Sequence, residues 1–156
     1  VQAVGEGNTS IVAKVKGIKI FARIFVTKKY VQDSGHEYTR GEWVKLLLDK
    51  VGCKYEEQFD SKNYYYADTR ENENGIAAEI AKTMGIIPDE TDEQDVPYFY
   101  PDEYATREFA AYTAVMLMGY ETTDEEPTCA DAAQIRYKNV VAIALKKNML
   151  SLNGDT

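Results

Sequence analysis

Few residues of this chain have both the type and the spacing that catalysis or metal binding requires. Among 156 residues there is one histidine, His36, and two cysteines, Cys53 and Cys129. Nucleophilic catalysis needs a base beside a serine or cysteine. His36 stands in a linker next to Gly35, with no Ser-His or Cys-His pattern around it. A structural zinc site takes about four Cys, His or carboxylate ligands, and this inventory falls short of one. The two cysteines could make one bridge but no disulfide framework, and they read as buried or idle thiols. The acidic run PDETDEQD at 88–95 lacks the spacing and the glycine of an EF-hand, so it reads as a solvated loop. Carboxylates are plentiful, but nothing in the pattern sets two of them across a cleft, as glycoside hydrolysis needs, and the chain is short for a glycosidase. The expectation is a protein that is not an enzyme and that uses no cofactor and no metal.

What does recur is a dipeptide. Thr39-Arg40 and Thr106-Arg107 each open an apolar stretch, and each stretch stops on a glycine 13 positions after the threonine, Gly52 and Gly119. At the first site Glu42 stands three residues after Thr39. That spacing is a capping box, in which the threonine hydroxyl takes the glutamate amide and the glutamate carboxylate reaches back to the threonine amide. Trp43, Leu46, Leu47 and Val51 follow at helical spacing, and Gly52 ends the helix in a left-handed cap. At the second site Glu108 falls one place early. The box there is either out of register or uses Ala105 as its cap.

A second element recurs with the first. Ile76, Ala77, Ile80, Ala81 and Met84 form an amphipathic stripe closed by Gly85, with Pro88 just beyond. Ala67-Asp68 is matched by Ala130-Asp131. Asp68 and Gly85 are 17 positions apart, as are Asp131 and Asn148, and Asn commonly replaces Gly at a left-handed cap. Ile86-Ile87 is then matched by Met149-Leu150. The offset is 67 residues at the threonines and 63 at the aspartates, so a four-residue length change lies between them. The order is helix, loop, aspartate, helix, and then the same again: an internal repeat.

The first 28 residues are of another kind. Ile18, Ile20, Ala22, Ile24 and Val26 alternate with Lys19, Phe21, Arg23 and Phe25, the period-two pattern of a strand. Ile11, Ala13 and Val15 share a face upstream, and Lys16-Gly17 reads as a tight turn between the two runs. Residues 1–28 thus hold a β-hairpin with a short strand before it, 29–38 form a linker, and 39–156 carry about two helical repeats. A hairpin alone is marginal in water, so this one needs further strands or another surface.

Bulk properties narrow the partners. With 18 basic against 26 acidic residues, the net charge of −8 leaves little for the basic face that nucleic acid requires. Anionic membranes are disfavoured on the same ground. No run approaches the roughly 18 apolar residues of a membrane span. There is neither a signal peptide nor an initiator methionine, and Val1 reads as a cut inside a longer protein. The 12 tyrosines cluster at 64–66 and around 98–104, where they suit either the half-wet edge of a small core or a binding surface.

Two resemblances follow from these stretches. VQAVGEGNTSIVAKVKGIKIFARIFVT is similar to the C-terminal portion of a bacterial group 2 immunoglobulin-like domain, which closes on V-x-A-V-x-x-G-x-x-x-I-x-A and a last alternating strand. From about residue 38 onward the chain resembles S-layer homology modules. YADT and CADA stand for the F-x-D of that family, MGIIP and NMLSLNGDT for its corner and following loop, YFYPDEYATREF for F-x-P before T-R-A-E-F, and YTRGEW for the helix-opening motif. The family's G-x-G loop is replaced by acidic residues between Ile87 and Tyr98. The family usually supplies three modules, and about two are present here.

The S-layer resemblance implies a mainly α fold of repeated helix-loop-helix units behind the small N-terminal β part. It also implies a secreted protein on the surface of a Gram-positive bacterium, alongside neighbouring domains of a longer surface protein. Such modules anchor proteins by binding an acidic, often pyruvylated, secondary cell-wall polysaccharide. The motif arginine is a ligand contact in the family, which transfers to Arg40 and Arg107, flanked by Thr39 and Glu42. A planar guanidinium pairs bidentately with a carboxylate, and a helix N-terminus adds free amides and a positive dipole end. Trp43 or the Tyr64 cluster could stack on sugar faces. The alternative for the same residues is structural. Thr39 and Glu42 are accounted for by capping, Trp43 by the core, and Arg40 and Arg107 by surface bridges to the neighbouring repeat, worth about 0 to 1 kcal/mol. The protein would then be a spacer or a protein-protein docking module of an adhesin or scaffold. A carbohydrate-processing accessory domain is the third reading.

Overall fold

The computed structural model describes the backbone of residues 7–15 and 18–26, and residues 36–122 and 124–150 in full. Strands β1 (Gly7–Val15) and β2 (Ile18–Val26) form an antiparallel pair in which Gly7 faces Val26 and Val15 faces Ile18. The expected strand before them, the Lys16-Gly17 turn and the linker as far as residue 35 lie outside the described residues. The rest is helical: α1 (Arg40–Lys50), α2 (Gly75–Met84), α3 (Arg107–Leu117), a 3-10 turn at Ala132–Gln134, and α4 (Lys138–Lys146). Helix α1 packs on α2, α3 packs on α4, and the two pairs meet where α1 touches α3.

Both long helices begin on their threonines. Thr39 accepts from the Glu42 amide at 3.2 Å, and the Glu42 carboxylate accepts from the Thr39 amide at 2.9 Å, closing the reciprocal box. Thr106 caps α3 by accepting from the Phe109 amide at 3.1 Å, with no return bond. Of the two arrangements open for α3, the out-of-register one is present, and Ala105 is not the cap. The reason is where Glu108 goes. One place early on the helix, its carboxylate accepts from the Tyr137 amide at the head of α4, at 2.5 Å.

All four helices end alike. Gly52, Gly85, Gly119 and Asn148 have φ of 67°, 75°, 68° and 54°. In each case the amide of that residue donates to the carbonyl three back, and the next amide donates to the carbonyl five back; Gly52 to Asp49 with Cys53 to Leu48 is the first instance. This double bond pattern is the Schellman stop. The spacing of caps read from the sequence is thus realised at every helix end.

The larger core gathers Val44 and Leu48 of α1, Ala77, Ala78, Ile80, Ala81 and Met84 of α2, the Ile86-Ile87 corner, Phe99, and Phe109 of α3. The alanines let α2 lie close to its neighbours. A smaller core joins Ala111 and Val115 of α3 to Val140, Ile143 and Ala144 of α4.

Two carboxylates hold the long loops in place. Glu79, 3% exposed, accepts from the amides of Tyr65 and Tyr66 and from the Thr69 hydroxyl. Asp68 accepts from the amides of Phe99 and Tyr100 at 3.0 and 2.7 Å. It thereby fixes Tyr100 at φ 57°, a left-handed backbone that a bulky residue rarely adopts. Segment 97–105 is bound in this way to the first helix pair, although it leads into the second.

Candidate functional site

The two segments that precede the Thr-Arg helices lie against each other. Thr39 and Tyr104 form an antiparallel bridge, and the Ala105 amide donates to the Tyr38 carbonyl at 2.9 Å. A cleft of about 350 Å³ opens beside this contact. His36, Glu37 and Tyr38 line it from the first segment, Trp43 from α1, Tyr104 from the second segment, and Thr106, Arg107 and Ala110 from the head of α3.

The predicted site residues separate into two groups. Trp43 and Arg107 face the same cleft. Trp43 is half-buried and is held by its indole, whose Nε1 donates to Thr113 Oγ1 at 2.8 Å. Arg107 is exposed at the first position of α3, where the positive end of the helix adds to its charge. Thr39 and Glu42 are spent on the cap of α1.

Arg40 goes elsewhere. Its guanidinium lies 4.3 Å from the centroid of Phe109 and 5.3 Å from that of Phe99. Its Nη2 is 2.8 Å from Glu90 Oε2, and the two side chains are 11% and 19% exposed. The approach is that of an ion pair, but the N–H is not aligned as a hydrogen bond, and Nε is buried with no acceptor. Burial makes this contact quite unlike the exposed bridge that sequence spacing suggests. Arg40 ties the first helix pair to the second through Phe109. Its backbone belongs to the same joint: the Arg40 and Gly41 amides donate to the carbonyls of Glu103 and Pro101 at 2.7 and 2.9 Å. Those two of the free amides of α1 are thereby occupied from within the chain.

Tyr66 reaches the same joint, 5.6 Å from Phe99 between ring centroids. Burial pushes its phenol far above the usual range, and the carboxylates of Glu79 and Glu90 add to the effect against the opposing charge of Arg40. Its hydroxyl is buried without a partner. The Tyr64 cluster is not part of the cleft. Tyr64 packs on Phe59 under Arg70, and Tyr65 carries Lys82 over its ring. Burial raises the Cys53 thiol, with Asp49 contributing, so its reactive thiolate form is suppressed. Among the described residues no group of three His, Cys, Asp or Glu could hold a metal ion, and no helix is long and apolar enough to cross a membrane.

Sequence reasoning passed over His36, Glu37 and Tyr38 as site residues and had Tyr104 only within a tyrosine cluster that suits either a core edge or a binding surface, so four lining residues went unassigned. The signal that finds three of these four is a Glu-Tyr pair ahead of each threonine, Glu37-Tyr38 directly before Thr39 and Glu103-Tyr104 with Ala105 between it and Thr106. Both tyrosines line the cleft, so the repeated unit includes the lead-in to the helix as well as the helix itself. No protein-family model matches the chain, and no match to it is found among curated proteins or solved structures.

Proposed function

We propose that this chain is a non-catalytic attachment module that holds an acidic cell-wall polysaccharide in the cleft between its two lead-in segments. The observation that carries the reading is that Arg107 and Trp43, from different helix pairs, line one cleft of about 350 Å³ together with Tyr38 and Tyr104. Aromatic side chains suit sugar rings, and an arginine at a helix N-terminus suits a carboxylate or a pyruvyl group. In a protein of net charge −8 such a local cationic site gives selectivity for where an acidic chain can settle.

In this reading the helix pairs are divergent S-layer-homology-type modules, the hairpin is the tail of an immunoglobulin-like domain, and the parent protein is displayed on a Gram-positive surface. Arg107 takes the anion and Arg40 builds the joint. The test is retention of the full chain on purified Gram-positive sacculi, beside Arg107→Gln and a Trp43→Phe variant checked for folding. Retention by the wild type and its loss in folded Arg107→Gln supports the reading. Equal retention of both, or none by either, removes it.

A second reading, a spacer or docking module with no glycan, is favoured by one observation. Arg40, the better copy of the motif arginine, is buried against Glu90 and two phenylalanines. Failure on sacculi would move the conclusion there.

A further inference from the structure

The net charge of −8 is unevenly spread. Residues 1–30 hold six basic residues and one acidic, while residues 31–156 hold 12 basic and 25 acidic. Most of the basic part is the hairpin: residues 7–26 contain Lys14, Lys16, Lys19 and Arg23 and no carboxylate. The register then sorts these charges. Lys14 pairs with Lys19, Val12 with Phe21, Ser10 with Arg23 and Asn8 with Phe25, which places all three strand cations on one face. The other face, which pairs Ile11 with Ala22 and Ala13 with Ile20, carries no charged residue. An antiparallel sheet of this kind packs its apolar face and leaves the other to solvent.

Solvated faces ordinarily mix both signs. This one has a single sign, and it sets Lys14 directly opposite Lys19, where like charges repel. An anion shared between them offsets that repulsion. Along β2 the face reads Lys19, Phe21, Arg23, Phe25, a cation and an aromatic residue by turns at steps of about 7 Å. Lys19 and Arg23 are thus about 13 Å apart along the strand, whereas each strand of duplex nucleic acid carries a phosphate about every 3.4 Å. The wider spacing fits an extended chain whose negative charges are separated by neutral rings, and aromatic residues suit such rings.

We infer that the basic face of the hairpin is a second binding surface, and that its ligand is an extended acidic polysaccharide. The choice of a saccharide rests on the reading above; the surface itself is independent of the cleft. The acidic helical part repels a polyanion over most of the molecule, so the ribbon is the place where such a chain can lie along the protein.

The full chain is titrated with polygalacturonate, with polyglutamate and with oligo-dT. A triple variant, Lys14→Gln/Lys19→Gln/Arg23→Gln, is compared with a control, Lys45→Gln/Lys50→Gln/Lys62→Gln, which makes the same change in net charge at exposed positions of the helical part. Polygalacturonate is expected to bind wild type and control alike and the hairpin variant about tenfold more weakly. Because the triple substitution can disturb the hairpin, the wild type is also titrated at rising salt, where its affinity for polygalacturonate is expected to fall steeply. A salt-independent affinity overturns the inference, and so does no binding of polygalacturonate by the wild type. Equal weakening of hairpin variant and control overturns it in favour of net charge alone. Polyglutamate binding as tightly as polygalacturonate overturns the saccharide in favour of an acidic peptide, and tighter binding of oligo-dT overturns it in favour of nucleic acid. Retention on sacculi separates this surface from the cleft. Loss in Arg107→Gln with none in the hairpin variant leaves the cleft reading and removes this one, and the reverse removes the cleft and supports the hairpin.

Discussion

Arg40 and Glu90 form the ion pair that closes the joint between the helix pairs: Nη2 and Oε2 are 2.8 Å apart, and neither side chain is more than 19% exposed. Removing one member of a buried pair leaves the other charge stranded. Arg40→Ala and Glu90→Gln are each expected to cost about 3 to 5 kcal/mol, and on charge alone Glu90→Gln is the more costly, because after Arg40→Ala the Glu90 carboxylate keeps the exposed Arg136 at 3.8 Å. Urea unfolding of both single variants and the double variant measures this. A loss below about 1 kcal/mol for Arg40→Ala would return the contact to the class of surface bridges. The same prediction makes Arg40→Ala a poor probe of ligand binding, because it tests the fold first.

Substitution of two glycines should be costly to different degrees and for different reasons. A Cβ on Gly75 would stand 1.8 Å from the Thr69 carbonyl oxygen, with no flexible atom to yield. Gly75→Ala is therefore expected to cost more than about 3 kcal/mol or to prevent folding. Gly119 has open space around it but a φ of 68°. Gly119→Ala should cost only about 1 to 2 kcal/mol, the strain of a left-handed backbone. Thermal melts of the two variants separate steric collision from backbone strain.

The buried hydroxyl of Tyr66 has no partner, so Tyr66→Phe is expected to lie within about 0.5 kcal/mol of wild type or above it. The pH dependence gives a second readout. The folded protein holds the Tyr66 proton more tightly than the unfolded chain does, so between the two pKa values it is the folded state that binds more protons. Stability is then full below about pH 10 and falls as pH rises beyond it. Tyr66→Phe should shallow that alkaline loss; Tyr55, Tyr112 and Tyr137, also raised by burial, leave a residual slope. An unchanged slope in denaturant titrations across alkaline pH would reject this.

Thr113 is fully buried and accepts the Trp43 indole proton at 2.8 Å. Thr113→Val keeps the shape and removes the acceptor, at an expected cost of about 1 to 2 kcal/mol. It should also free the indole, seen as a shifted and broadened Trp43 emission and as weaker retention on sacculi. An unchanged emission spectrum would mean that packing alone orients the ring.

The local grammar of this chain is readable residue by residue. Thr39 with Glu42, the three glycines and Asn148 each announce a helix end, because caps depend on one residue and its neighbours within a turn. The position of Arg40 is not readable in that way. Its partners Glu90, Phe99 and Phe109 are 50 to 69 positions away, and no periodicity links them. Glu79 is a similar case. It occupies an ordinary place on an amphipathic helix, and only the folded loop reveals that its carboxylate gathers two amides and a hydroxyl. The cleft stands between these extremes. Its arginine and tryptophan are the residues that the motif stretches single out, while Tyr38 and Tyr104 stand in the same stretches, YTRGEW and YFYPDEYATREF, with nothing in their spacing to set them against one another.

Segment 97–105 also decides how the molecule can be divided. The repeat boundary suggests a cut soon after α2, in the acidic loop. Such a cut removes Phe99 from the larger core, takes the Phe99 and Tyr100 amides from Asp68, and leaves the Arg40 and Gly41 amides without Glu103 and Pro101. The stretch that is copied along the sequence is therefore not a stretch that can be excised. A minimal autonomous fragment of the first helix pair has to extend through the lead-in of the second. The same reckoning applies to recombination: an exchange of one unit for a homologous one succeeds only if the crossover carries this segment with the unit before it.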